Sequence, residues 1–483
     1  MALKKIAFFS LMLALITSCS SNNAEEVDIS PQVSSFISNN DNTVAFGSAY
    51  LKDILNKADY KTNDKLELLF GTEIDKISQV LDIDSKVYFV AEGPLSEDME
   101  PEVTHLFMRI KNLDSLKMEL ESRSFDINKA GKVEYTDEGD FMISMKENLA
   151  IVTITGNDYD AAKVAKENFK LAEGKEAGGK VDEILDAKGD LVMAMHLSNL
   201  YNTSNTDLEK LDKKTQDQIK TMMKDSYVET VFKFEDGAAI IESTNHFSPE
   251  LQKRMFMSAD QQAPILAHLG SGTPRAGLSV NIDMKKAKAF MDEFSPDVAK
   301  DMAASMGGPA QLALMSAGNE GIAGIFPGQM GALVFAEQDE FGTTPDFSFF
   351  LALTQRGKDL GKMGEEGLKY FIPNVNLDDK GLSGYTSDDL APNAGKLNLP
   401  KGCEKFGQSG ISIFVNLDGL DMEEFDLEGE ENLLRVVKYA TFDADNDGAR
   451  LYIKAKEGKE NILKQAMDVM MDEFVSEIDK ITI

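Results

Sequence analysis

Two segments of the sequence alternate apolar and polar residues on both sides of an Asp-Gly pair, and this limits the possible folds more than any other feature. They are residues 228–244, VETVFKFEDGAAIIEST, and residues 436–455, VVKYATFDADNDGARLYIKA. A period of two residues is typical of a strand with one buried face, and Asp-Gly favours a tight hairpin turn. We therefore predict an antiparallel hairpin in each segment, followed by a Met-rich amphipathic helix at 249–259 and at 459–474.

The hairpins belong to a longer order of elements that occurs twice along the chain. In both copies a strand leads into an amphipathic helix, two strands and another helix follow, and a short strand with an acidic turn comes next. The matching segments are 42–58 with 276–291, 87–92 with 332–337, 104–120 with 346–363, 132–136 with 382–386, and 190–200 with 410–420. A shared order of several elements favours internal duplication over chance matches between strands and helices.

These patterns predict an α+β fold with two tandem copies of an antiparallel sheet packed with helices. The predicted boundaries are 42–258 for the first repeat and 275–483 for the second, with a linker at 259–274 that contains Gly-Ser-Gly-Thr-Pro. Residues 300–331 are rich in Ala, Gly and Met and have no clear counterpart in the first copy. We expect a tightly packed helix and a Gly-rich connection there.

The first nineteen residues have the features of a bacterial lipoprotein signal. Lys4 and Lys5 precede an eleven-residue run that is apolar except for one serine, and the run ends in Ile-Thr-Ser-Cys19, which looks like a lipobox. Such a run is long enough for a signal-peptide core and too short to span a bilayer. We predict that residues 1–18 are removed, that Cys19 carries lipid, and that residues 19–41 form a flexible tether. The alternative is an ordinary secretory signal with a chance cysteine.

The residues after the cysteine favour the outer membrane. Ser20 stands where an aspartate would resemble an inner-membrane retention signal in many Gram-negative bacteria. Glu25 and Glu26 faintly resemble the acidic export signal of some surface-displayed lipoproteins, and a solvated tether explains them equally well. The predicted location is therefore the outer membrane, with a lipid anchor and a body that is periplasmic or surface-exposed.

The charge of the chain excludes several classes of partner. The formal net charge is -32 at pH 7, so the protein repels phosphate backbones and anionic lipid headgroups. Nucleic-acid binding is disfavoured, and attachment to a membrane has to come from the lipid on Cys19. Cys403 is the other cysteine, and we expect a small, partly buried side chain in preference to a reactive thiol.

The strongest apparent ligand motif is Asp443-Ala-Asp445-Asn-Asp447-Gly448, which matches the start of a calcium-binding EF-hand loop. The twelfth position, which should supply a bidentate carboxylate, is Lys454, and the flanking segments are predicted strands. The favoured interpretation is a charged hairpin turn in which Asp447 and Gly448 supply positive φ angles. A weak calcium site at the three aspartates remains the alternative.

Other chemistry lacks a recognisable motif. The sequence has no Cys-x-x-Cys, no His-Glu-x-x-His, no phosphate-binding glycine loop and no Gly-x-Ser-x-Gly elbow. The four histidines, His105, His196, His246 and His268, do not have the spacing of a zinc motif. His105 and His196 fall in predicted strands, where a satisfied structural imidazole is the usual case. We therefore predict no catalytic residue, no metal site beyond the weak calcium alternative, and no cofactor.

As a whole, the pattern resembles a large family of Bacteroidetes-type Gram-negative lipoproteins that is catalogued as a domain of unknown function. The resemblance rests on the lipobox, on Asn-Thr-Val-Ala-Phe from Asn42 with Leu-Lys-Asp-Ile-Leu from Leu51, and on repeated strand–helix units that end in Asp-Gly hairpins. It covers nearly all of the mature chain. The resemblance implies a location and a fold, and because the family has no assigned activity it implies no functional residues.

The leading functional hypothesis is an anchored lipoprotein that binds an envelope protein partner, or supports an envelope assembly, without catalysis. Two copies of one unit often create a groove or an extended face that suits a partner. One alternative is an envelope hydrolase that uses dispersed carboxylates, which requires acidic residues with perturbed pKa values converging in a cleft. The other is a carrier of apolar ligands, which requires an apolar cavity of several hundred Å³.

Overall fold

The structure is a computed structural model. It describes residues 28–61, 67, 71–96, 100–174, 178–203, 212–257, 265–294, 318–335, 346–369, 372–420 and 429–481.

Eighteen strands form the framework of the part of the chain that the structure describes. Their bounds are β1 Thr43–Ala49, β2 Val87–Leu95, β3 Pro101–Arg109, β4 Asn128–Ala130, β5 Val133–Asp137, β6 Phe141–Lys146, β7 Leu149–Thr155, β8 Leu191–His196, β9 Tyr227–Glu235, β10 Ala238–His246, β11 Pro274–Asn281, β12 Gln329–Phe335, β13 Phe347–Ala352, β14 Asn374–Leu377, β15 Gly381–Tyr385, β16 Ile411–Asn416, β17 Val437–Ala444 and β18 Gly448–Ala455.

Thirteen α-helices lie between or after the strands in the described ranges. Their bounds are α1 Ser30–Ser38, α2 Leu51–Lys57, α3 Thr72–Val80, α4 Leu113–Ser122, α5 Ala161–Ala172, α6 Lys180–Leu185, α7 Leu197–Thr203, α8 Lys213–Met223, α9 Pro249–Gln252, α10 Ile265–His268, α11 Met284–Phe294, α12 Gln355–Lys369 and α13 Ile462–Ile481, with 3-10 turns at Gly318–Gly324, Asp388–Leu390 and Gly429–Val436. Side-chain caps start several of them, because Asn112, Asp160 and Asp212 each accept a hydrogen bond from a backbone N–H in the first turn of α4, α5 and α8.

All the strands belong to one open antiparallel sheet. The pairings place them side by side in the order β4-β5-β6-β7-β3-β2-β1-β8-β9-β10-β18-β17-β16-β11-β12-β13-β15-β14. The run β3-β2-β1-β8-β9-β10 and the run β13-β12-β11-β16-β17-β18 therefore have matching connections. They meet where β10 pairs with β18, from Ala238 opposite Lys454 to Thr244 opposite Gly448.

The prediction of two tandem copies, each with a sheet of its own, is wrong. The strands of 42–258 and those of 275–483 share a single sheet through the β10–β18 ladder, and this is not a tandem sheet-plus-helix arrangement. The physical reason is that alternation identifies the buried face of a strand but not the neighbour at its edge. Both hairpins have a free edge, and in the structure these edges pair with each other. The boundaries proposed for the repeats and the linker remain predictions. The flexible tether predicted at 19–41 is wrong for residues 30–38, which form α1, because the apolar side chains of Val33 and Phe36 are buried in the core.

In the N-terminal half of the sheet, helices cover face A and also that part of face B formed by β2, β3, β6 and β7. We call the face that carries Phe46 and Phe107 face A, and the face that carries Leu106 and Met108 face B, because residues paired directly across strands share a face. A buried cluster on face A includes Phe36 of α1, Phe169 of α5 and Ile184 of α6. A second buried cluster on face B includes Ile77 of α3 and Leu116 of α4.

In the C-terminal half, the core lies on face A. Leu333, Phe350 and Phe414 of β12, β13 and β16 pack there with Ile265 of α10 and with Phe406 from the loop before β16. The rings of Phe406 and Phe414 meet edge to face, with centroids 4.9 Å apart. On face B, Val375 of β14 and Leu382 of β15 are buried beside α12.

Several local predictions are confirmed and two are wrong. Both hairpins form, and the helix after the second one is α13. The helix predicted at 249–259 is limited to the single turn of α9. A tightly packed helix and a Gly-rich connection were predicted at 300–331. Residues 300–317 of this segment lie outside the described residues. Among the helices that the structure describes, none has both the length and the apolar character needed to cross a bilayer.

The two Asp-Gly turns differ in why they use glycine. Gly237 has a φ of +64°, as a tight hairpin turn requires. Neither Asp447 nor Gly448 has a positive φ, so that part of the prediction is wrong. A Cβ on Gly448 would lie 2.0 Å from the backbone oxygen of Ser243. Glycine is needed there because β18 and β10 approach closely at the junction of the two halves.

Candidate functional site

The predicted lipidation site lies outside the part of the chain that the structure describes. Cys19 belongs to residues 1–27, none of which is described, so lipidation at this position stays a prediction. Cys403 is buried, as the sequence indicated. Burial, and then the negative charges of Glu404 and Asp443, raise the pKa of its thiol to about 11, which leaves it unreactive at neutral pH.

Two of the three aspartates of the calcium motif, Asp443 and Asp445, are engaged in separate local interactions. Asp443 lies in β17 and accepts a hydrogen bond from the hydroxyl of Ser412, 2.8 Å away. Asp445 accepts from the backbone N–H groups of Asp447 at 2.9 Å and Gly448 at 3.3 Å, which closes the hairpin turn. Among the described residues, no group of three His, Cys, Asp or Glu side chains could hold a metal ion.

His105 is the centre of a buried polar network between β3 and α5. Its Nε2 lies 2.7 Å from a carboxylate oxygen of Glu92, and its Nδ1 lies 3.0 Å from the hydroxyl of Thr153. Asn168 donates to that hydroxyl at 2.9 Å, and Asn40 donates to the same Glu92 oxygen at 2.7 Å. The arrangement has the order of a hydroxyl–imidazole–carboxylate triad, which sequence reasoning missed because its members are far apart in the chain.

Burial decides the role of this network. His105 is 2% exposed and Thr153 is 1% exposed, so a substrate cannot reach the hydroxyl. Every polar group has a partner, which is the expected state of a structural network. Burial alone would raise the pKa of Glu92, but the hydrogen bond and charge of His105, with the hydrogen bond from Asn40, lower it below its ordinary value. The prediction of a satisfied structural imidazole at His105 is confirmed.

The other histidines do not form a site with one another. His196 stacks on Tyr227 with ring centroids 4.7 Å apart, and His246 lies 2.6 Å from a carboxylate oxygen of Glu229. His268 stacks on Phe350 in the C-terminal half. These contacts are cross-strand or strand–helix packing interactions of single imidazoles.

The buried carboxylates take part in ion pairs that hold elements together. Asp190 accepts from Lys57 of α2 at 2.6 Å and from the backbone N–H of Phe234 at 2.6 Å. Asp82 accepts from Arg109 Nε, also at 2.6 Å. The two carboxylates are engaged with different partners, so they are not poised as an acid–base pair.

Neither of two cavities among the described residues matches an apolar carrier. A cavity of about 60 Å³ lies between α3, α4 and the sheet, with Ile77, Leu116 and Val152 among its lining residues. That volume is far below the several hundred Å³ that a carrier requires. A larger open groove of about 680 Å³ is lined mainly by charged and polar residues of α8 and the 250–254 turn, including Lys213 and Arg254.

The most unusual surface is on face B of the C-terminal half. We call it the apolar patch, and it consists of Ala276, Leu278, Ala332, Val334, Ile413 and Val415 on the neighbouring strands β12, β11 and β16. Val334 is 38% exposed, Ile413 39% and Val415 40%. Ala276, Leu278 and Ala332 are intermediate in exposure. On the adjoining strands the same face continues as Phe442, Leu451 and Ile241, all partly exposed.

Face A of these strands shows the opposite arrangement. Ser412 and Phe414, which alternate with Ile413 and Val415 along β16, are each 1% exposed. Ser279 and Ser348 are also buried on face A. The buried face is thus partly polar, and the half-exposed face is entirely aliphatic or aromatic. The sequence ISIFV at 411–415 has apolar residues on both faces of the strand, which indicates that one apolar face is left uncovered. The sequence does not say which face that is.

Comparisons with known proteins give no identity. No family model matches the chain. No curated protein matches it either. Solved structures described as crystal forms I and III of TP0453 align at 8% identity with TM-scores of 0.28 and 0.27. These alignments cover 46% and 49% of this chain and 80% of TP0453 in both cases. TM-scores of this size carry no argument about fold or function.

Proposed function

We propose that this chain is a lipid-anchored extracytoplasmic lipoprotein of the outer membrane that binds an envelope protein partner without catalysis. The observation that supports binding is the apolar patch, where Val334, Ile413 and Val415 are more than a third exposed on one face of a packed sheet. Soluble proteins rarely expose contiguous apolar patches larger than a few hundred Å², and larger ones mark interaction sites. Membership of the lipoprotein family that the sequence resembles is part of the same proposal.

The patch has the properties of an interface core. Its side chains are aliphatic and carry no charge, as is typical of the central part of protein interfaces. Its residues lie on paired strands, so they are held rigidly and lose little conformational entropy on binding. Covering the exposed fraction of one such side chain contributes on the order of 1 kcal/mol. Micromolar affinity needs about 8 kcal/mol after association costs, so a partner has to contact residues around the patch as well.

The two alternatives receive less support from the described residues. A hydrolase would need carboxylates converging in a cleft, whereas Asp82 and Asp190 sit in separate ion pairs with Arg109 and Lys57. A carrier would need a much larger apolar cavity than the one of about 60 Å³ beneath α4. An exposed face, in contrast, needs no cavity.

The anchor is tested by the substitution Cys19→Ala. We expect the variant to leave the membrane fraction and appear in the soluble envelope fraction, because no thiol remains at the lipobox to accept the diacylglyceryl group. Metabolic labelling with a fatty acid should mark the wild type and Cys403→Ser but not Cys19→Ala. Unchanged membrane retention of Cys19→Ala would refute lipid attachment at this position.

Partner binding is tested by cross-linking the wild-type protein in envelope membranes and comparing it with Val334→Thr/Ile413→Thr/Val415→Thr. Threonine keeps the β-branched shape that strands favour and removes apolar surface. The matched control is Met363→Thr on α12, which removes an apolar side chain that is 83% exposed. The proposal predicts a reproducible cross-linked protein that the triple variant loses and the control keeps. Equal recovery by all three proteins, or no reproducible product, would refute it.

A further inference from the structure

We infer that the buried network around His105 joins two of its own members covalently, through an ester bond between the hydroxyl of Thr153 in β7 and the side chain of Asn168 in α5. The acyl donor is the side-chain amide of Asn168, so no substrate has to enter from outside. The reaction takes place once in each chain. This inference goes beyond the proposed function and does not depend on the apolar patch or on a partner.

The hydroxyl of Thr153 lies between a base and an amide. Its oxygen is 3.0 Å from His105 Nδ1 and 2.9 Å from Asn168 Nδ2. The other ring nitrogen of His105 lies 2.7 Å from Glu92, and an ionised carboxylate only accepts hydrogen bonds. The proton of the neutral imidazole is therefore on Nε2, and the lone pair on Nδ1 accepts the proton of the hydroxyl. This arrangement activates a hydroxyl as a nucleophile.

The carbonyl carbon of Asn168 is within reach of the same hydroxyl. This carbon is bonded to Nδ2 at about 1.33 Å, so it lies no more than about 4.2 Å from the oxygen of Thr153. A shift of about 1 Å brings the two atoms to the separation of about 3–3.5 Å from which a nucleophile attacks. Because β7 and α5 hold both residues in place, the amide is present at a high effective concentration.

The reaction is balanced without a further reactant. The oxygen of Thr153 forms a bond to Cγ of Asn168 while its proton passes to Nδ1 of His105. The bond between Cγ and Nδ2 then breaks, and the proton leaves on that nitrogen as ammonia. An alcohol and a primary amide are thereby converted into an ester and ammonia. The ammonia is protonated and diluted in the solvent, which prevents the reverse reaction.

Burial protects the product and makes the pair unusual. Thr153 and His105 are almost completely buried and Asn168 is 4% exposed, so water that would hydrolyse the ester is excluded. The rest of the buried face of α5 consists of apolar residues, namely Ala165, Phe169 and Ala172. Apolar residues at positions 153 and 168 would stabilise the contact about as well, so hydrogen bonding alone gives little reason for this pair.

The inference is tested by a tryptic digest of the denatured wild-type chain. Cleavage after lysine releases residues 147–163, which contain Thr153, and residues 167–170, which contain Asn168. We expect these peptides to remain joined as one branched species, about 17 Da lighter than the sum of the two because ammonia has been lost. Hydroxylamine, which cleaves esters, should separate them.

Substitutions assign the roles of the side chains. Thr153→Val removes the nucleophile, and His105→Gln removes the base, so neither variant should give the branched peptide. The matched control is Thr136→Val, which removes a buried hydroxyl that has no hydrogen-bond partner among the described residues and should leave the branched peptide unchanged. Glu92 acts through His105, so in a pulse–chase Glu92→Gln should form the branched peptide at least about tenfold more slowly, and Glu92→Asp should restore part of the rate.

Two results from the wild type would overturn the inference. Recovery of the two peptides as separate species of full mass would show that the network is held by hydrogen bonds alone. A loss of about 17 Da without a branched peptide would show cyclisation of an asparagine to a succinimide in place of the ester. Since both results come from the wild-type chain, they decide the question even where a variant fails to fold.

Discussion

The two halves of the sheet use the same order of strands but are covered differently. In the N-terminal half, face A packs on α1, α5 and α6, while face B packs on α3 and α4 over β2, β3, β6 and β7. Leu191, Met193 and Met195, on face B of β8, are half-exposed. Between β11 and β16, a buried cluster covers face A, whereas Val334, Ile413 and Val415 on face B remain more than a third exposed. The difference teaches that the helices packed on a sheet, and not its strand connections, decide how much of each face is buried.

The largest effect is expected from the two sides of β16. Phe414→Ala should lower the free energy of unfolding by about 3–5 kcal/mol, because the ring is fully buried and leaves a cavity. Val415→Ala, the next residue on the opposite face, should cost less than about 1.5 kcal/mol because its side chain is already 40% exposed. Urea unfolding of both variants measures the contrast. Similar losses would mean that face B is packed as tightly as face A.

A smaller effect is expected at the junction of the halves. Gly448→Ala places a methyl group against the backbone of Ser243, which has to move, so we expect a loss of about 1–3 kcal/mol. Gly458→Ala is the matched control, since its Cβ would meet no atom within 4 Å, and it should stay within about 0.5 kcal/mol of the wild type. Thermal unfolding by circular dichroism reports both changes. If Gly448→Ala is as stable as its control, the close approach of β10 and β18 is not required.

The His105 network of the N-terminal half should respond to Glu92→Gln with a loss of about 1–2 kcal/mol at pH 7, because hydrogen bonds to a charged acceptor are replaced by neutral ones. The pKa of Glu92 is lowered in the folded protein, so its carboxylate contributes stability above the ordinary pKa of 4.5. That contribution is lost as the pH falls through the lower folded pKa. Unfolding in urea at several pH values should show the two proteins converging in acid, and a constant difference would contradict this account.

The smallest effect, with the opposite sign, is expected for Asp443→Asn in the C-terminal half. Burial raises the pKa of Asp443 and outweighs the hydrogen bond from Ser412. The protonated form contributes stability below the ordinary pKa of 3.8, and this is lost as the pH rises through the raised folded pKa. At pH 7 the asparagine variant should therefore equal or exceed the wild type, by less than about 1 kcal/mol. A clear destabilisation at pH 7 would show that the anion is needed, for example by a cation held at the turn.

The local alternation of apolar and polar residues predicted much of the fold. Most of the errors concern strand pairing between segments that are distant in the sequence. The hairpins at 228–244 and 436–455 and the helix after the second were visible because alternation and helical periodicity act over a few residues. The single sheet was missed because the β10–β18 ladder joins residues about two hundred positions apart. The residues of a strand do not indicate which other strand pairs with its edge.

The candidate site was hidden for a related reason. The apolar residues at 411–415 predicted a strand, but apolar residues are normally assigned to the covered face. Which face is covered depends on the helices and loops around β16, and these are set by contacts with α10 and the loop before the strand. The His105 network was similarly invisible, since Asn40, which precedes β1, and Asn168 of α5 are far apart in the sequence.

The outermost strands of the sheet are β4, with three residues, and β14, with four. Each offers only a few unpaired backbone groups, so an incoming strand from another molecule gains few hydrogen bonds there. A wide open sheet could otherwise extend from molecule to molecule into a fibre. These short edge strands therefore let a crowded population of such proteins remain separate molecules.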